Sequence, residues 1–152
     1  APNSRLDKNP QNEKYTHLSQ LQLAKHINES INKNDAAIAL EKWFEGFGLD
    51  IDKKLSIISH NWEFERGFLI NWLQPETFNY IFDNRYRDIM SLALAINDKA
   101  DLTAEQIPYP KVNLTFLATR LNVEIIKKYD CMSNTVIIAE IYKRMLYDQT
   151  MV

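Results

Sequence analysis

One cysteine, three glycines and three histidines are spread over 152 residues, and each shortage removes a class of chemistry. With Cys131 alone there is no internal disulfide and no cysteine-based zinc cluster, a usage that fits a reducing, cytoplasmic compartment. Gly46, Gly48 and Gly67 cannot supply G-x-G-x-x-G, a Walker A loop or a G-x-S-x-G elbow, so a backbone cradle for phosphate is excluded. His17, His26 and His60 fall in neither an HExxH nor an ExxH pattern, and no metal or other cofactor is expected. No apolar run approaches the roughly 18–20 residues of a membrane span.

Charge excess is also scarce. The net formal charge is −2, with 12 Lys+Arg against 16 Asp+Glu in residues 1–106 and 6 against 4 in residues 107–152. Phosphate contacts supply most of the affinity of a nucleic-acid domain, and neither half carries the basic excess they need. Nucleic acid is therefore a disfavoured partner, reachable only through the mildly basic C-terminal part.

What remains is a chain of one ordinary domain's length, with 45% apolar and 25% charged residues. Residues 1–14 hold two prolines, three asparagines and an isolated Leu6, the composition of a flexible tail. Beyond it, apolar residues recur every three to four positions. Leu18, Leu21, Ala24, Ile27 and Ile31 give a first helix, and Asp35 is placed to cap a second that carries Ile38, Leu40, Trp43 and Phe44 and stops at Gly46 and Gly48. A third is expected from Asp50 or Asp52 through Ile58 to Trp62, and helical spacing resumes with Phe68, Leu69, Ile70, Trp72 and Leu73. Pro75 opens a further short one, Arg85 to Ile96 is strongly periodic, and Thr103-Ala-Glu-Gln106 matches a capping box. The Pro-containing stretch 97–111 reads as a linker, with Tyr109 extended between Pro108 and Pro110.

Two long helices, Leu114 to Tyr129 capped by Asn113 and Ile137 to Leu146 capped by Ser133, are expected to close the chain. The β-branched run Thr135-Val-Ile-Ile138 suits a strand locally, but its 137/138/141/145 spacing continues as a helix. The expected fold is all-α: an irregular bundle of six or seven helices forming a single domain over residues 15–152, with sub-blocks 15–100 and 112–152.

His60-Asn-Trp-Glu63-Phe-Glu65-Arg66 is the densest polar cluster. On a helix His60 and Glu63 share a face and would suit acid–base work, yet Trp62 and Phe64 alternating with Glu63 and Glu65 read as rings inward and carboxylates outward. Cys131 has Lys127 and Lys128 nearby but no partner histidine, so a plain turn residue is the reading and its reactivity stays open. Leu117-Ala-Thr-Arg-Leu-Asn-Val123 resembles the opening of a helix-turn-helix, but its apolar spacing runs on to Tyr129 and makes the first helix too long.

The aromatic load is the remaining positive signal. Three Trp, seven Phe and seven Tyr make 11% of the chain, more rings than a small bundle usually hides. Tyr80, Arg85, Tyr86, Arg87 and Tyr109 are the candidate partner-binding residues, because Tyr and Arg are favoured at interface hot spots. The leading expectation is a helical protein–protein interaction module without catalytic activity, an adaptor, regulatory subunit or inhibitor, that binds a protein or itself. A nucleic-acid regulator using the C-terminal helices and an enzyme centred on His60 and Glu63 are the alternatives.

Overall fold

The computed structural model describes residue 25 and residues 28–48, 53–126 and 130–149. The tail, His17, His26, Asp50, Asp52 and residues 127–129 lie outside the described residues, as does most of the expected first helix. The chain divides into two compact units, Ala1–Leu40 and Glu41–Val152.

The described residues are mostly helical. They form five helices and one tiny parallel sheet, in the order α1 (Lys33–Glu45), β1 (Ile58–Ser59), α2 (Trp62–Ile81), β2 (Arg87–Asp88), α3 (Ile89–Leu102), α4 (Leu114–Arg120) and α5 (Cys131–Gln149). The five helices among the described residues do not match the expected six or seven, and most of the first expected helix lies outside those residues. The segment 53–61 is not a helix: Leu55 and the β-branched Ile57 and Ile58 run extended and pair with residues 82–88. The two helices expected on either side of Pro75 follow one another within α2, broken where Gln74 leaves the helical region (φ 65, ψ 154). Pro75 excludes an α conformation at its predecessor, which accounts for the extended ψ of 154 at Gln74 but not for its positive φ. The long helix expected from Leu114 stops at Arg120.

Helix ends explain the other shifts. Asn32, not Asp35, starts α1: its Oδ1 accepts from the amides of Asn34 and Asp35, both at 3.0 Å. Gly48 ends that helix region with φ +57, a conformation glycine takes at no steric cost. Thr103-x-x-Gln106 is a helix stop and not a start. Ala104 adopts φ 55, and the Glu105 amide reaches back to the Ala100 carbonyl at 2.8 Å. The same closure ends α4, with Asn122 at φ 55 and Val123 N bonded to Ala118 O at 2.8 Å. Asn113 caps α4 as expected, its Oδ1 accepting from Phe116 N at 2.9 Å. Asp130, not Ser133, starts α5 by accepting from Ser133 N at 2.9 Å. Thr135-Val-Ile-Ile138 is helical.

The main core gathers Ile89 and Ala93 from α3, Leu117 and Ala118 from α4, and Ile137, Ile141 and Met145 from α5, closed by Tyr109, Leu121 and Val123. Along α5 the buried residues Ser133, Ile137, Ile141 and Met145 recur at every fourth position. Such a stripe on one helix face packs against several neighbours at once, here β1, α3 and α4. The core thus draws on both sides of the 103–112 segment. That segment is pinned by Asn97, whose side-chain amide donates to Tyr109 O (2.7 Å) and whose carbonyl oxygen accepts from Tyr109 N (2.9 Å). Among the described residues, no helix is long and apolar enough to cross a membrane.

Candidate functional site

The paired extended segments and α2 build one corner of the molecule. Leu55 bridges Phe82, whereas Ile58 and Ser59 pair with Arg87 and Asp88. Three steps along the first strand therefore answer five along the second, and the two additional residues bulge outward between Asp83 and Tyr86. Backbone bonds fix both ends of the bulge: Asp83 N to Leu55 O at 2.9 Å and Arg87 N to Ile57 O at 2.8 Å. Within it, the Asp83 carboxylate accepts the Arg85 backbone amide at 2.7 Å and the Arg85 guanidinium at 2.5–3.1 Å. Arg87 Nη1 donates to Arg85 O at 2.5 Å.

The Arg85 side-chain bond, then its backbone amide, hold the Asp83 carboxyl down to about 2 from the ordinary 3.8, and the same pairing raises the Arg85 guanidinium above its usual value. Because the folded value lies below the unfolded one, the pairing favours the folded state fully above about pH 3.8 and is lost as pH falls through about 2. An NMR titration of the Asp83 carboxyl carbon is expected to show a midpoint near 2, and Arg85→Ala to return it toward 3.8. A midpoint unmoved by Arg85→Ala would show that the pairing does not set it.

Asp88 holds the corner together. Its Oδ1 accepts from Asn61 N (2.9 Å) and Met90 N (3.0 Å), and its Oδ2 from Trp62 N (3.3 Å) and the Ser91 hydroxyl (3.1 Å). One carboxylate thereby caps the N-termini of both α2 and α3. Asn61 enters α2 at φ 70, a left-handed conformation that asparagine tolerates better than most residues. Buried Ser59 donates from its hydroxyl to Glu65 one turn into the same helix.

Between the start of α2 and the bulge lies a cavity of about 440 Å³. Trp62 and Phe78, both almost fully buried, stack at 6.3 Å and form its floor. Tyr86 leans over Trp62 at 5.7 Å, and Glu63, Arg66, Asp83 and Asn84 complete the rim.

The residues singled out from sequence are distributed unevenly. Arg85, Tyr86 and Arg87 come together on the bulge and are exposed. Tyr80 is 43% exposed and packs edge-on against Phe44 at 5.5 Å. Tyr109 is a correction: it is 6% exposed and belongs to the core, because the Asn97 bonds draw its backbone inward. His60 and Glu63 do not converge. The His60 Nε2 sits 2.7 Å from the Val112 carbonyl oxygen, while Glu63 faces the cavity. Cys131 is exposed at the first position of α5. Among the described residues, no group of three or more His, Cys, Asp or Glu side chains is gathered to hold a metal ion.

Two of the C-terminal cations, Lys143 and Arg144, are committed elsewhere. Arg144 donates to the carbonyls of Leu121 and Asn122, and Lys143 pairs with Glu140 at 2.6 Å. The helix-turn-helix resemblance also fails on different grounds from those the sequence suggests. Helix α4 is short, but residues 121–126 after it are all outside a helix, already more than a three- or four-residue turn.

The expectation that Phe64 turns inward beside Trp62 is also corrected. Phe64 and Phe68 are 65% and 66% exposed, with ring centroids 5.1 Å apart, on the side of α2 turned away from buried Trp62 and Leu73. The helical angle held the signal: Phe64 lies two residues, about 200°, beyond Trp62, so both rings cannot face the core. Comparison with protein-family models, curated proteins and solved structures finds no match for this chain.

Proposed function

We propose that the chain is a protein–protein interaction module that docks through rings displayed on α2, with Tyr80, Arg85, Tyr86 and Arg87 as further contact residues. The observation that carries this reading is the Phe64–Phe68 pair, two large apolar side chains tilted against each other and both largely exposed. Leaving both rings wet forgoes about 1.5–3 kcal/mol of burial for each, a cost that a partner surface removes. Arg85 and Arg87 add donors held in place by the bulge, and ordered side chains lose less freedom on binding.

The expected result is that Phe64→Ser/Phe68→Ser leaves the unfolding midpoint within about 0.5 kcal/mol of the parent, because neither ring is buried. The same double variant is expected to abolish self-association in sedimentation velocity, or capture of a partner from native lysate. Parent and variant that sediment as identical monomers and capture the same proteins would reject the proposal.

A further inference from the structure

The cavity beside Tyr86 has chemistry that a protein-docking face does not require. Two of its rim side chains carry full and opposite charges, Glu63 and Arg66, and neither has an ion-pair or hydrogen-bond partner among the described residues. They stand at i and i+3 on α2, where such a pair commonly closes on itself. Here each is left to the opening. The neighbouring carboxylate, Asp83, is already satisfied by Arg85, so it does not compete for a cation.

The floor supplies a second, independent observation. The Trp62 indole N–H is buried and meets no acceptor, the one such side-chain group among the described residues. Buried donors are nearly always paired, and an unpaired one calls for an acceptor from elsewhere. The Trp62 ring lines the cavity while its indole nitrogen is closed to solvent, so an acceptor brought by a bound molecule reaches it when the floor shifts. Tyr86, 46% exposed and tilted over Trp62, offers a flat ring for the rest of that molecule. The volume of about 440 Å³ lies within the range of small-ligand sites, about 300–1,000 Å³.

From the free cation, the free anion, the orphan donor and the aromatic floor, we infer that this cavity binds a small zwitterion of the α-amino-acid class. Its carboxylate pairs with Arg66 and accepts from the Trp62 indole, and its ammonium pairs with Glu63. Its side chain lies against Tyr86. The site involves no covalent step and needs no protein partner.

The test uses the full chain and three zwitterions, glycine, L-leucine and L-phenylalanine, against 2-phenylethylamine and 3-phenylpropionate, each of which keeps only one charge. The readouts are the Trp62 indole N–H resonance and titration calorimetry at up to millimolar ligand. A saturable shift of that resonance with at least one amino acid is expected, with the single-charge analogues weaker by about tenfold or more. Arg66→Gln and Glu63→Gln, both at exposed positions, are expected to weaken the amino acid comparably while leaving the unfolding curve unchanged. Absence of a saturable shift with all three amino acids overturns the inference. So does equal affinity for the single-charge analogues, or binding unaffected by both substitutions.

Discussion

Asp88→Ala is expected to lower the stability of the fold by about 2–4 kcal/mol, because one carboxylate serves two helix starts. Loss of a single cap costs about 0.5–2 kcal/mol. Here the amides of Asn61 and Trp62 at α2 and of Met90 at α3 would lose their acceptor together, in a part-buried position where water replaces it poorly. Asp88→Asn keeps one acceptor oxygen and is expected to lose roughly half as much. Urea unfolding followed by both circular dichroism and indole fluorescence measures the change. Against a typical total of about 5–15 kcal/mol, the alanine variant should shift the midpoint well outside error. A shift equivalent to less than about 0.5 kcal/mol would mean that the two helix starts do not depend on Asp88.

Asp88 also illustrates where sequence reasoning stops. The 3.6-residue rhythm locates α1, α3 and α5; α3 and α5 each bury one stripe, which is local information, whereas α1 buries Phe44 alone. The cap at Asn113 is equally local. By contrast, the strand pairing depends on residues 55–59 meeting residues 82–88 across the whole of α2, and no neighbour in sequence announces that contact. Ile57 and Ile58 satisfy helix and strand patterns alike, and the non-local partner decides. For the same reason Asp88 reads as an ordinary charged residue until the pairing brings Asn61 and Trp62 to it. Of the candidate surface, Arg85, Tyr86 and Arg87 were legible from residue type. The inward position of Tyr109 was not, because it is set by the side chain of Asn97, twelve residues earlier. The outward position of Phe64 was legible in principle, from its angle to Trp62.

The second large effect is expected at the centre of the core. Ile141 is fully buried on the α5 stripe between Ile137 and Met145, in the cluster that joins α3, α4 and α5. Ile141→Ala removes three carbons that the surroundings fill only in part, at a cost of about 2–5 kcal/mol. Ile141→Val removes one and should cost about 0.5–1.5 kcal/mol. Leu102→Ala is the matched control: Leu102 is 88% exposed at the end of α3, and its truncation should stay within about 0.5 kcal/mol of the parent. Chemical denaturation of the three variants gives the ordering directly. The valine result separates two causes, because a loss concentrated in the step from valine to alanine marks a cavity that neighbouring helices do not collapse into. If Ile141→Ala were as mild as Leu102→Ala, the α5 stripe would not be what holds the helices together, and the fourfold spacing of Ser133, Ile137, Ile141 and Met145 would lose its physical meaning.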